Sequence, residues 1–449
     1  MPDKLNPLYM KYTHNIKQEA LFQFGLMQIE IPCEHELVKL SHELEWESMV
    51  EIVAGKYSNR TGRNSKSIRM MIGLEIAKRK YGLTDEEIVS QLKVDVALKY
   101  FCGFNSFHHD IPDPSSLCKF RKRLDPETLF LLEEVNIKKF IRKAPKKRRH
   151  QVINDTTCVE ANITYPTDSK LLTKVWEALV KKLKEIRATG VKIVIRGKLK
   201  VKQSVRSFNL KRKKSREDFL KMNERLISES RKLMNLIEKE LRNIVDRKIK
   251  SSIKEIVGKA EKIIKQQQEM IKNKTRRVAD RIVSFHETQI RPITRGKDGK
   301  KVEFGPKLAV NVIGGGLMQT AKLERNNYSD TEMVVAGIHT HRKTFGRDPT
   351  EFNTDRGGHS PRNHQLLEKN GIMDGIQYRG KIPQRANLPP PASRRRMKKQ
   401  RSAVEGKIGT FKTKYGGDRN LYKDQNAQTW ITFGLIAMNG DWAAARQPA

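Results

Sequence analysis

The chain has 449 residues, of which 90 are Lys or Arg and 51 are Asp or Glu, so its formal net charge is +39. A charge this large points to a polyanionic partner, and a 37% hydrophobic content can bury a real core, which argues against a merely adhesive basic protein. There is no apolar run long enough to span a membrane, no secretion signal and no CxxC pair, so we expect a cytoplasmic protein with reduced thiols and no membrane partner.

Short helices are predicted along residues 1–143. Thr84 and Glu87 have the spacing of a capping box, which marks the start of a helix. Asp113 and Asp125 are each followed by proline and are each expected to begin another helix. An all-α domain of this kind fits two functions equally well, a helix-turn-helix reader of DNA and a dimerisation domain.

An α/β core is predicted to begin in residues 144–195. A basic linker leads into an apolar run that predicts a strand, and Asp155 ends this run. An amphipathic helix with apolar spacings of three and four follows from Ser169.

Residues 196–290 are interpreted as a basic helical insertion in that core. Apolar residues recur at mostly three, four and seven from Arg216 to about Phe285, with no proline in that stretch. A single rod of this length is implausible, so we expect a hairpin or bundle, with bends at Gly258 or at Ser251-Ser252. The segment is either a coiled-coil spacer or an element that grips DNA or a second protomer.

Strand patterns return in residues 291–449, which are interpreted as the remainder of the core with C-terminal helices. A strand that ends at a run of three glycines predicts a hairpin, because glycine suits the tight turn. Asp355 follows a short extended run, and Glu405 lies in a predicted helix. Asp330 is interpreted first as the cap of the helix that follows it. Glu160 is interpreted first as a structural residue, with an additional acid near the candidate site as the alternative.

The settings of Asp155, Asp355 and Glu405 suit metal-dependent phosphoryl chemistry. Two carboxylates at strand ends and one on a helix can converge on a pair of divalent cations. An all-oxygen site favours hard ions, so we predict two Mg²⁺ or Mn²⁺ ions per active site, with these three residues as catalytic ligands.

Two basic segments are predicted to contact DNA phosphates, because most basic contacts position the backbone and do not select a sequence. These residues are Lys211, Arg212, Lys213, Lys214, Arg394, Arg395, Arg396 and Lys398.

The segments around the three carboxylates resemble those of DDE transposases of bacterial insertion sequences, and the resemblance covers most of the chain. The third segment carries that group's signature of Arg, three residues, Glu, six residues and Lys at Arg401, Glu405 and Lys412. Lys398 stands where the signature has tyrosine, and Gly358 stands where relatives have an aromatic residue after the second aspartate.

The resemblance implies an RNase H-like mixed sheet with flanking helices and an enzyme that cuts DNA at the ends of a mobile element and joins them to a target. Its partners would be double-stranded DNA with terminal inverted repeats, target DNA and a second copy of the chain, in the cytoplasm at the nucleoid. Arg401 and Lys412 would contact DNA. An RNase H-like nuclease without strand transfer and a catalytically inactive DNA-binding protein are the alternatives.

Overall fold

A computed structural model of the chain describes residues 21–24, 27–58, 64–104, 111–194, 197–275, 277–294, 302–384, 388–423 and 426–446. The chain forms two compact units: residues 1–162 with 306–449, here called the core unit, and residues 163–305, here called the inserted unit. The domain boundaries after residues 143, 195 and 290 stay predictions. Residue 196, where the insertion is predicted to begin, lies outside the described residues.

The N-terminal part of the core unit is helical after one short hairpin. Its elements are β1 (Leu21–Phe24), β2 (Met27–Glu30), α1 (Glu36–Glu43), α2 (Trp46–Ala54), α3 (Ile68–Tyr81), α4 (Asp85–Val94), α5 (Val96–Phe101), α6 (Pro114–Arg121) and α7 (Pro126–Phe140). Local signals set the helix ends. Thr84 and Glu87 form the predicted capping box of α4, and Asp113 and Asp125 cap α6 and α7.

Two strands of the core unit precede the inserted unit. They are β3 (Gln151–Cys158) and β4 (Glu160–Ala161). The elements of the inserted unit are α8 (Asp168–Ala188), α9 (Lys198–Leu210), α10 (Arg216–Glu240), α11 (Arg247–Lys272), β5 (Pro292–Thr294) and β6 (Val302–Phe304). Helices α10 and α11 pack against α8 around a hydrophobic core that Trp176, Leu226 and Ile263 share.

The inserted unit departs from the predicted helical pattern between Arg216 and Phe285. The chain breaks between α10 and α11, where the Asp246 side chain accepts hydrogen bonds from two backbone N–H groups of the next turn. The bends expected at Gly258 or at Ser251-Ser252 are wrong, because these residues lie inside α11. Helix α11 also ends before Phe285, at Lys272.

The rest of the core unit contains β7 (Lys307–Ile313), β8 (Leu317–Glu324), α12 (Thr331–Phe345), β9 (Glu351–Thr354), α13 (Pro361–Lys369), β10 (Met373–Ile376), α14 (Pro391–Lys414), β11 (Arg419–Asn420) and α15 (Ala427–Ala444). The glycines at 314–316 form the predicted hairpin turn between β7 and β8. Strand β11 pairs with β4 in a separate two-stranded ladder.

Five strands of the core unit form a mixed sheet in the order β10-β9-β3-β7-β8. The central strand β3 pairs antiparallel with β7 and parallel with β9. Strands β7 and β8 are antiparallel, and β9 and β10 are parallel. The chain is therefore a mixed α/β protein with a helical N-terminal part. This confirms the predicted combination of an α/β core with N-terminal helices.

Helices cover both faces of this sheet. Helix α12 packs closely on one face at Gly337, where a Cβ would lie 2.7 Å from Asn311 Oδ1 and 2.9 Å from Asn154 Nδ2. Helix α14 packs on β3, β9 and β10. Helix α15 is buried along most of its length and packs against α1, α3, α7 and β8, so the N-terminal helices and the sheet share one hydrophobic core.

Candidate active site

Asp155 and Asp355 lie at the same level of two adjacent parallel strands. Strands β3 and β9 pair in register, and their last aligned pair is Ile153 with Asn353. Each aspartate comes two residues after its member of that pair. Because neighbouring strands lie about 4.8 Å apart, the register brings the backbones of the two aspartates close together.

The side chains at alternate positions of β3 and β9 share the face that α14 covers. Glu351 pairs with Arg396 of α14 at 2.6 Å, and the Asn353 side chain donates to the backbone carbonyl of Met397 at 2.7 Å. Because side chains alternate along a strand, Asp155 has the same parity as Ile153 and belongs to this face. Asp355 has the same parity as Asn353, although it lies just beyond β9.

Helix α14 starts near the N-terminal ends of β9 and β10 and carries Glu405. Pro390, which precedes α14, and Thr350, which precedes β9, line one cavity of about 720 Å³. The backbone carbonyl of Met397 contacts Asn353 in β9, and α14 continues for more than four turns beyond Met397, to Lys414. Glu405 is exposed and follows the buried Val404, so it lies beside the contact line between helix and sheet.

Backbone N–H groups orient both aspartates. The Asp155 carboxylate accepts a hydrogen bond from the N–H of Thr156 at 2.7 Å, and the Asp355 carboxylate accepts one from Gly357 at 2.8 Å. Both aspartates are half-buried. Carboxylate oxygens are the ligands that Mg²⁺ and Mn²⁺ prefer, so the donor set fits the expected ions. In the described part of the chain, no three His, Cys, Asp or Glu side chains are grouped closely enough to hold a metal ion.

Asp330 is an acidic residue of this neighbourhood whose contacts the sequence did not indicate. It occupies the N-cap position of α12, as expected, but its backbone is helical and its side chain makes no capping hydrogen bond. Instead its Oδ1 atom pairs with Lys307 Nζ at 2.6 Å and accepts from Thr156 Oγ1 at 3.3 Å. Burial and then the charge of Asp330 raise the pKa of Tyr328, so this phenol stays protonated at neutral pH.

A chain of polar side chains holds the segment that follows Asp355. His359 Nδ1 hydrogen-bonds His364 Nε2 at 2.8 Å, and His364 Nδ1 contacts the Asp374 carboxylate. The ring of Tyr378 stacks on His364 with centroids 4.1 Å apart. Burial, followed by the charge of His364, lowers the pKa of His359, which favours the neutral imidazole. These contacts tie α13 and β10 to the turn that carries Asp355.

Glu160 lies in the small ladder with β11, opposite Arg419. Its backbone N–H donates to the carbonyl of Asp418 at 3.0 Å. The structural interpretation of Glu160 stays a prediction, because these are contacts of its backbone.

The basic residues of α14 differ in how available they are. Arg394, Arg395 and Lys398 are exposed, whereas Arg396 is engaged with Glu351. Arg401 and Lys412 are half-buried and lie on the same helical stripe as Glu405, because residues four and seven apart share a face. In the part of the chain that the structure describes, the Arg401 Nε atom is buried without a hydrogen-bond partner.

The predicted basic cluster of the inserted unit is also divided. Lys211 pairs with Asp218 at 2.6 Å. Lys214 donates to the carbonyls of Asn209 and Lys211 at 3.3 and 2.7 Å, and so helps to end α9. Arg212 and Lys213 are exposed between them. These two are therefore the better candidates for contact with a phosphate.

Comparison with known proteins shows which family the chain resembles. Residues 27–123, which run from β2 past the end of α6, match the family model described as Transposase domain (DUF772). Over 152 residues the chain is 32% identical to "Uncharacterized protein ORF8 in nfe locus" of Rhizobium meliloti, an alignment that covers 33% of this chain and 73% of that protein. No solved structure matches the chain significantly. The chain belongs to the transposases of insertion sequences, as the resemblance implied.

The helices that the structure describes include none that is both long and apolar enough to cross a membrane.

Proposed function

We propose that the chain is a DDE transposase, which cuts DNA at the ends of its mobile element and joins them to target DNA. The observation that carries this proposal is the placement of Asp155 and Asp355. They follow two strands that pair in register, on the face that is covered by α14, the helix that carries Glu405. This placement of the two aspartates, beside the helix that carries Glu405, supports the proposal that the three acidic residues act together.

The sheet topology supports an RNase H-like core. The strand with the first carboxylate lies in the centre, with an antiparallel hairpin on one side and two parallel strands on the other. The second carboxylate follows the first of those parallel strands, and the third lies on a later helix of the same unit. This order of elements is the one that the resemblance implied.

Asp155, Asp355 and Glu405 would hold two Mg²⁺ or Mn²⁺ ions. When bound, such a pair activates a nucleophile and stabilises the leaving oxygen at phosphorus. The N–H groups of Thr156 and Gly357 keep the two aspartates oriented before any ion binds. Arg394, Arg395 and Lys398, with Arg401 and Lys412 farther along α14, would hold the DNA backbone along the helix that carries the third acid.

The proposed DNA partner predicts a role for the exposed pair Arg212 and Lys213. Replacing both by glutamine should weaken binding to all DNA sequences about equally, and the slope of log affinity against log salt should fall by roughly 0.9 for each phosphate that is no longer neutralised. Fluorescence anisotropy on two unrelated duplexes over a range of salt measures both effects. A matched control replaces exposed Lys239 and Arg242 of the same unit by glutamine.

An equal change in the control pair would mean that binding reflects overall charge and no particular surface. Weaker binding to one duplex only would mean that Arg212 and Lys213 read bases.

Strand transfer tests the proposed function directly. The substrate is a duplex that carries the DNA flanking the gene and ends in a 3′ hydroxyl, as if already cut, together with a supercoiled target plasmid. With Mg²⁺ or Mn²⁺ we expect covalent joining of the labelled end to the plasmid, and none with Asp355→Asn or excess chelator. A gel under denaturing conditions detects the joined product.

The other outcomes contradict the proposal in different ways. Cleavage of intact flanking DNA without joining would identify a nuclease. Binding without either reaction would identify a DNA-binding protein. Two active sites are needed to cut two ends, so the joining reaction should also require a homodimer, which sedimentation of the DNA complex measures.

A further inference from the structure

Asp330 connects three segments that meet at the candidate active site. Its Oδ1 atom contacts Lys307 in β7 and Thr156 in β3, the residue next to Asp155. Its side chain also lies against Gly357, in the turn that follows Asp355. The helix that begins after Asp330 does not use the side chain, since no capping hydrogen bond is present. The Asp330 side chain therefore links these three segments and does not cap the helix.

Gly357 lets Asp330 and Asp355 come close together. A Cβ at Gly357 would lie 2.8 Å from Asp355 Oδ1 and 3.0 Å from Asp330 Oδ2, which makes the two carboxylates near neighbours. It would also lie 2.9 Å from Asp330 Cβ, so neither side chain could stay in place beside an alanine. The turn needs a glycine for close approach, because any side chain would occupy the space between the two acids.

Lys307 reduces the electrostatic repulsion between the carboxylates of Asp330 and Asp355. Like charges this close repel each other unless a cation offsets one of them. The ammonium group of Lys307 is almost buried, pairs with Asp330 and also donates to the carbonyl of Tyr328 at 2.8 Å. Lys307 thus fixes Asp330 from the side away from Gly357. The remaining oxygen of Asp330 faces the turn of Asp355.

We propose that Asp330 is a positioning residue of the active site, a role that rests on the proposed function. Anchored by Lys307, it holds Thr156 on one side and the Gly357 turn on the other. It thereby sets the separation between the strand of Asp155 and the turn of Asp355. The required property is a hydrogen-bond acceptor of the right shape at residue 330, and the carboxylate itself does not bind the ions.

Binding of Mn²⁺ to the full chain tests this role without DNA. The electron paramagnetic resonance signal of free Mn²⁺ reports the dissociation constant. Asp330→Ala and Gly357→Ala should each weaken binding by about 10–100-fold, the usual effect of losing an outer partner of a metal ligand. Asp330→Asn keeps an acceptor oxygen for Thr156 and Lys307, so it should restore most of the affinity.

Glu332→Ala is the matched control. It removes a carboxylate from the first turn of the same helix, but the ion pair of Glu332 is with Lys322 and not with Lys307 or Thr156. Binding of Mn²⁺ by this variant should equal that of the wild type. Cleavage kinetics of the same five proteins should follow the same order, with a higher Mn²⁺ concentration needed for half-maximal rate.

The outcomes separate the two proposals. If Asp330→Asn binds Mn²⁺ as weakly as Asp330→Ala, the charge itself is needed and the positioning role is wrong. If Asp330→Ala and Gly357→Ala both bind like the wild type, Asp330 has no role at the site. A wild-type protein that binds no Mn²⁺ would instead contradict the proposed metal chemistry, whatever the variants do.

Discussion

Asp155→Asn, Asp355→Asn and Glu405→Gln should each abolish metal-dependent DNA cleavage, with a fall in rate on the order of 10³-fold or more. Each change keeps the size of the side chain but removes the negative charge that would hold a divalent cation. Losing even one preorganised group that stabilises a charged transition state costs about 10²–10³-fold. The three effects should not add, because the residues act as one unit.

DNA affinity provides the contrast, since we expect the three changes to leave DNA binding largely intact. Cleavage of an end-labelled duplex with Mg²⁺ or Mn²⁺ measures the first property, and a mobility-shift assay at fixed salt measures the second. Asp418→Asn serves as control, because it removes an exposed carboxylate from the same unit. A variant that cleaves normally, or a wild type that cleaves in excess chelator, would rule out the proposed active site.

Local sequence signals predicted those parts of the fold that local interactions decide. Thr84 and Glu87 satisfy backbone groups within one turn, so their spacing alone placed the start of α4. The glycine run likewise placed the β7–β8 hairpin. A break in the long helical segment was expected, but its position between α10 and α11 was missed, because the apolar pattern continues across it through the buried Ile244. The Asp246 side chain caps the start of α11 there, and both helices pack against α8.

In the candidate site, too, local sequence signals predicted some features, and others depend on contacts between distant segments. The surroundings of Asp155 and Asp355 made both residues candidates, but the register of β3 with β9 joins segments far apart in the sequence. No local pattern predicts such a pairing. Asp330 was interpreted as a helix cap because it stands before a helix, which is the usual place of a capping aspartate. Its contacts with Lys307 and Thr156 depend on the folded sheet and have no local signature.

A buried charge network in the core unit is another feature that depends on the folded chain. Arg121 of α6 pairs with Glu75 of α3 at 2.7 Å and with Asp85 of α4 at 2.6 Å. The hydroxyl group of Tyr422 donates to Glu75 at 2.5 Å, and the ring of Tyr422 lies 4.1 Å from the Arg121 guanidinium. Glu75 is fully buried and Arg121 is 5% exposed. The network joins the N-terminal helices to the segment before α15.

Arg121→Met should therefore destabilise the protein strongly. Methionine fills much of the same volume, but Glu75 is left as a buried carboxylate without its cation and Asp85 loses one of its two. Removing one partner of a buried ion pair costs about 3–5 kcal/mol, because the remaining charge is desolvated without compensation. Nearby Glu75 raises the pKa of Arg121 against the opposing effect of burial, which agrees with a net attraction in the folded state.

The control for this change is Lys122→Met, which removes the exposed cation next in sequence and should alter stability by no more than about 0.5 kcal/mol. Urea denaturation followed by circular dichroism measures both variants. The double variant with Glu75→Leu should recover part of the stability, since replacing a buried pair by apolar residues of similar volume is often neutral. Equal stability of Arg121→Met and Lys122→Met would mean that water or Lys78 compensates the carboxylates, and that the network does not hold the N-terminal helices to the C-terminal part of the core unit.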